Sequence, residues 1–187
     1  MAASLRDRIL DATTTLLAER GLAAVNTNAI ARAADCSVGS VYVHFGNKQE
    51  VLAALLERYG DRLLATVAEG LEPGVPWPEQ LSRTVDAFVR FYRNEPGYRE
   101  LWLGAQLTDA TVRAGEAWGQ QATERLVAVF LATRPTLDGA TAARAAEVSI
   151  YVVSTLVTRA LQVEDDALID EAKQVVARYL APMLAED

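Results

Sequence analysis

Three residues able to cap a helix, Thr27, Ser37 and Asn47, stand ten positions apart, and this spacing constrains the chain more than any other feature. Each carries a side-chain oxygen that can accept a hydrogen bond from an orphan backbone N–H at a helix start. Only two brief helices fit between them: one opened by Thr27 and running through Ala34, and one from Ser37 to Phe45, stopped by Gly46. Asp35 and Cys36 make the turn. Two short helices joined so tightly must cross steeply, which describes a helix-turn-helix.

Upstream, Ser4 with Asp7 three residues on has the spacing of a helix start, and Leu5, Ile9, Ala12, Leu16 and Leu17 form an apolar stripe that ends at Gly21. Asn47 pairs with Glu50 in a capping-box spacing and opens a fourth helix from Lys48 to about Gly70. The prolines of Leu71–Pro78 make a loop. Beyond it the pattern predicts a helix to Asn94, a break at Glu95-Pro96-Gly97, and a short helix from Tyr98 to Leu107. A helix capped by Thr108 then runs to about Thr133, and two final helices cover about Thr141–Glu164 and Asp166–Leu184. No run alternates apolar and polar residues as a half-buried strand would. The fold class is all-α, with about nine helices.

Charge sets a limit on function. The net charge of −7 runs against a nucleic-acid binder, which ordinarily carries a basic footprint. Its distribution softens that objection. Residues 1–58 hold six basic groups (Arg6, Arg8, Arg20, Arg32, Lys48, Arg58) and six acidic ones (Asp7, Asp11, Glu19, Asp35, Glu50, Glu57), so the whole negative excess lies in the body. An acidic body repels DNA and leaves the neutral head as its only tolerable contact. The N-terminus lacks a basic flank followed by an apolar run, and Arg, Glu or Thr interrupts the apolar stretches before membrane-spanning length. A single cysteine, Cys36, forms no intrachain disulfide. A cytoplasmic protein is expected.

A helix that reads the major groove needs small or polar side chains at its N-terminal end and phosphate donors at its flanks. The third helix fits this requirement. Ser37, Val38, Gly39 and Ser40 form its first turn, and Gly39 lets its backbone come close to the bases. With Val41 and Phe45 pointing inward on one face, Ser40 and Val43 point outward, and Tyr42 and His44 project from the flanks. The N–H groups at Thr27 and Asn28, and at Asn47 and Lys48, can add dipole-assisted phosphate contacts.

The run Ile30-Ala31-Arg32-Ala33-Ala34-Asp35-Cys36-Ser37-Val38-Gly39-Ser40-Val41-Tyr42-Val43-His44-Phe45-Gly46-Asn47-Lys48 resembles, without a gap, the signature of the TetR family of bacterial regulators. The resemblance covers about residues 5–58. It implies that Thr27, Tyr42 and Lys48 hold phosphates while Ser37, Gly39, Ser40, Val43 and His44 face the groove. Asp35 stands where the family usually has Gly; a left-handed turn suits Asp better than most residues. Cys36 replaces a usual Val, a similar apolar plug.

The resemblance further implies a helix-turn-helix domain over residues 1–47 and a helical effector-binding and dimerisation domain over 48–187, linked by the fourth helix. The last two helices would form a four-helix bundle with a second subunit, using stripes that include Ala145, Val148, Leu156, Val175, Tyr179 and Leu180. An effector pocket would draw on the aromatics Phe88, Phe91, Trp102, Trp118 and Tyr151, with Gln106, Arg125, Thr155 and Arg159 as polar handles. The expected action is repression of a palindromic operator, relieved by a small-molecule effector.

Other chemistries find little support. His44 is the one histidine and by itself builds neither a metal site nor a triad. The acidic cluster Glu164-Asp165-Asp166, with Asp170 and Glu171, reads as favourable charge at the start of the last helix. No metal, cofactor or catalytic residue is expected. The rival is a helical small-molecule-binding protein whose head does not grip DNA, which the acidic charge favours.

Overall fold

A computed structural model describes residues 4–72, 74–104 and 109–184. Among them are nine α-helices and no strand: α1 (Leu5–Arg20), α2 (Thr27–Ala33), α3 (Val38–His44), α4 (Lys48–Ala68), α5 (Trp77–Asn94), α6 (Pro96–Gly104), α7 (Asp109–Thr133), α8 (Gly139–Val163) and α9 (Ala167–Leu184), with a 3-10 turn at Leu22–Ala24. The all-α class and the helix number are as the sequence predicts.

Several boundaries move for local reasons. The N-cap of α2 is Asn26, whose side chain accepts from Ala29 N, and Thr27 is the first helical residue instead of the cap. Asn ranks above Thr in that role. Pro96 does not break the chain but opens α6, leaving Glu95 alone between α5 and α6; a proline at the first helical position forfeits no hydrogen bond. At α8 the cap is Asp138, which accepts from Thr141 N, so that helix starts at Gly139 and not at Thr141. The predicted Thr108 cap lies outside the described residues.

The chain forms two compact units, residues 1–63 with 91–118, and 64–90 with 119–187. In the first, α1 packs on α2 and α6, and α2 packs on α3. Ile9, Leu10, Leu17, Ile30, Val41, Leu55, Tyr59 and Leu101 are almost wholly enclosed there, each worth about 1.5–3 kcal/mol of apolar burial. Gly21 ends α1 at φ 70° and returns its N–H to Leu17 O, a conformation that a residue without Cβ adopts freely.

In the second unit α8 packs along α9. Phe130, Ala142, Ala145, Ala146, Val176, Leu180 and Leu184 form its core, and the alanine-rich seam lets the two helix backbones approach closely. The Lys173 ammonium pairs with Asp86 at 2.6 Å. By length and mean hydropathy alone α8 is apolar enough to cross a membrane, contrary to the sequence expectation. It nevertheless carries Arg144, Glu147 and Arg159 and buries an Ala142, Ala145, Ala146, Val157 and Ala160 face. That buried face accounts for part of its apolar character, as packing against α9. Val148 and Tyr151 on α8, with Val175 and Tyr179 on α9, remain exposed.

Candidate nucleic-acid interface

The turn between α2 and α3 is held from outside itself. The Arg8 guanidinium on α1 donates to Ala34 O at 2.9 Å and to Asp35 O at 3.0 Å, and Cys36 N donates to Ala31 O at 3.0 Å. Asp35 takes the left-handed conformation expected of it, at φ 50°. Beneath the turn Ile30, Ala31, Val41 and Phe45 are buried, which places α3 with its opposite side outward. The Arg6 guanidinium lies over the Phe45 ring at 5.3 Å, a favourable cation–π contact.

Ser37 caps α3, its Oγ accepting from Ser40 N at 3.0 Å, and the two hydroxyl oxygens are 2.8 Å apart. Val43 is 82 % exposed and Tyr42 53 %. Gly39 is exposed as well, and a Cβ built on it would meet only Ser37 Oγ, at an ordinary 3.6 Å. Nothing inside the protein requires a glycine there. Its missing side chain clears space on the outer face.

The ten residues predicted to touch DNA all reach the surface: Asn28, Ser37, Gly39, Tyr42, Val43, His44 and Asn47 are exposed, and Thr27, Ser40 and Lys48 are half-buried. Lys48 Nζ lies 3.5 Å from Leu22 O. At the start of α4 the capping box forms: Asn47 Oδ1 accepts from Glu50 N at 3.1 Å, and the Glu50 carboxylate accepts from Gly46 N at 2.8 Å. A carboxylate thus occupies part of a helix terminus expected to favour phosphate. Arg58 is compensated by Asp11 at 2.7 Å.

The residues predicted for an effector divide between the units. Phe91, Trp102 and Trp118 belong to the first; Phe88, Arg125, Tyr151 and Thr155 belong to the second. Within the second, Phe88 is buried while Arg125, Tyr151 and Thr155 are exposed. Gln106 lies outside the described residues. The Trp118 indole N–H donates to Gly60 O at 3.1 Å, so its polar handle has a partner in the chain.

Sequence reasoning missed the centre of the first unit's aromatic cluster, Tyr98. Tyr59, Phe91 and Tyr92 meet the Tyr98 ring edge-on at 5.5, 5.4 and 5.9 Å, and Trp102 stacks on it at 5.9 Å. Such edge-to-face pairs match the positive ring edge to the negative face. Burial pushes the phenols of Tyr59, Tyr92 and Tyr98 above the ordinary tyrosine range. The Tyr92 hydroxyl is buried with no hydrogen-bond partner among the described residues. The available signal was Tyr59 itself, at i+4 from Leu55 and i−4 from Leu63 on one apolar face of α4.

Residues 9–55 match the family described as bacterial regulatory proteins, tetR family, and residues 75–184 match the tetracyclin repressor-like C-terminal domain. A TetR-family transcriptional regulator from Streptomyces coelicolor has a similar crystal structure, with a TM-score of 0.75 and 33 % identity over 97 % of this chain and 100 % of that one. An uncharacterized HTH-type transcriptional regulator of Mycobacterium tuberculosis is 25 % identical over 95 % of this chain and 73 % of its own length. The HTH-type transcriptional repressor KstR of Rhodococcus jostii is 31 % identical over 74 % of this chain and 66 % of its own length.

Proposed function

The chain belongs to the TetR family of bacterial regulatory proteins, whose members bind DNA and form dimers, and we propose that it is a cytoplasmic repressor whose dimer grips a palindromic operator. The observation that carries this reading is the outer face of α3, where Gly39 and the exposed Val43 stand clear of a turn fixed by Arg8. In this reading residues 1–47 contact DNA, with α3 of each subunit in successive major grooves about one turn apart. Thr27, Asn28, Tyr42, Asn47 and Lys48 hold phosphates; Ser37, Gly39, Ser40, Val43 and His44 face the groove.

Residues 48–187 join the subunits and sense a small molecule. Val148, Tyr151, Val175 and Tyr179, exposed on α8 and α9, support a dimer contact through the last two helices, since a two-fold interface matches a two-fold operator. An effector that binds better to the conformation unable to span both half-sites shifts the population off DNA. α4 contributes residues to both units and is the natural lever. The relative named as a repressor supports repression as the sign of control.

The net charge of −7 favours one other reading, a helical small-molecule-binding protein that leaves DNA alone. Genomic SELEX with the purified protein, beside a Tyr42→Ala/Lys48→Ala double variant, separates the two. A palindromic motif enriched by the parent and lost in the variant supports the regulator. No enrichment at low salt, where phosphate contacts are strongest, rejects it in favour of the ligand binder.

A further inference from the structure

We infer that Val43 selects a thymine in each operator half-site by seating its side chain against the C5-methyl group of that base. The inference rests on the DNA-reading role proposed above and names the base feature that role selects.

Direct readout in the major groove ordinarily relies on paired hydrogen bonds: Arg or Lys to guanine, Asn or Gln to adenine, Asp or Glu to cytosine. From Ser37 to His44 the chain has none of these six residue types. Its small hydroxyls are Ser37 and Ser40. They lie 2.8 Å from each other, and Ser37 Oγ also accepts from Ser40 N, so part of this pair's hydrogen-bonding capacity is taken up within its own helix. Tyr42 and His44, at the flanks, offer single hydrogen bonds, and one made to N7 does not resolve one purine from the other.

Val43 is the remaining outward group, at 82 % the most exposed large hydrophobic side chain among the described residues. A β-branched residue is a weak helix former, and water is a poor surrounding for its two methyl groups. Both costs are offset if the side chain is covered by an apolar surface. The major groove offers one such surface, the thymine methyl, and apolar side chains do read it. A valine in a helix also holds essentially one rotamer, so it meets that methyl with little entropy left to lose. Gly39 lies one turn earlier on the same face. A Cβ there would touch nothing closer than Ser37 Oγ at 3.6 Å, so the absent side chain opens the approach along the line that leads to Val43.

Deoxyuridine tests the assignment because it deletes the methyl and keeps the base pair. Each thymine of the selected operator is replaced in turn, and affinity is measured by fluorescence anisotropy for the parent protein and for Val43→Ala. At one symmetric position the parent should lose about fourfold in affinity for one substituted half-site and about fifteenfold for two, the scale of a buried methyl. Val43→Ala should bind more weakly throughout yet show no further loss at that position, with its helical circular dichroism unchanged.

The inference falls if no thymine responds to demethylation. It falls equally if Val43→Ala keeps the parent's full deoxyuridine penalty, because another group would then be reading the methyl. A protein that enriches no DNA at all takes the regulator reading down with it, whereas an operator bound without regard to its thymine methyls overturns this assignment alone.

Discussion

Gly60 and Trp118 fit together by the absence of a single carbon. The Trp118 indole N–H donates to the Gly60 carbonyl at 3.1 Å, and a Cβ on residue 60 would sit well inside contact distance of Cδ1 and 3.0 Å from Cγ. A glycine within a helix ordinarily costs about 1 kcal/mol relative to alanine. At this point of α4 the cost admits a tryptophan from α7 against the helix backbone.

The usual sign of a glycine-to-alanine change should therefore reverse here. Gly60→Ala must push the indole aside, and overpacking of this kind costs about 1–3 kcal/mol. Urea denaturation should show a lower midpoint with an unchanged slope, together with altered tryptophan fluorescence. A midpoint equal to or above the parent's would mean that the indole has room to move.

Gly39→Ala should behave oppositely. The site has space for the methyl inside the protein, so the substitution should raise stability by up to about 1 kcal/mol through helix propensity. The same methyl projects into the face proposed to meet DNA, and operator affinity should fall at least tenfold. Thermal melts and anisotropy titrations read the two effects separately. A stabilised variant with intact affinity would remove Gly39 from the interface.

Alkaline pH should unfold the first unit in a defined direction. Burial raises the Tyr59, Tyr92 and Tyr98 phenols in the folded state, while the unfolded chain ionises at about pH 10. Groups raised on folding give a stability that is complete below the unfolded value and is lost as the pH climbs from there toward their folded values. These three, of six tyrosines in the chain, should ionise together with the loss of helical signal. Phenolate absorbance and circular dichroism recorded on one titration check the coincidence. Full ionisation while the helices remain intact would contradict the burial.

What could be seen in the sequence was what local hydrogen bonds decide. Ser4 with Asp7 and Asn47 with Glu50 each close within a single turn, so their spacing alone exposed α1 and α4. Ser37, ten residues from each neighbouring candidate cap, marked α3. The outward face of α3 followed once Val41 and Phe45 were set inward. Asn26 and Thr27 are neighbouring residues of types that can both cap, and spacing could not show that Asn26 takes the role. Pro96 was taken for a breaker because the same residue ends one helix or starts another according to the backbone around it.

The body resisted for a different reason. Tyr98 meets Tyr59 and Phe91 from separate helices, and no local pattern encodes a partnership between distant segments. On α8, alanine and valine are apolar alike. Composition gave no sign that Ala145 would be enclosed while Val148 stays 40 % exposed. The proposed effector residues were chosen for their chemistry without a backbone to place them, and they divide between the two units accordingly.

The Arg8 clasp on the carbonyls of Ala34 and Asp35 bears on how portable the recognition surface is. Its pitch is set from α1, outside the two short helices that carry the letters. A graft of residues 26–45 onto another scaffold would transplant an alphabet without its baseline, and the same bases would be met at an untuned angle. A movable reading head begins at Ser4.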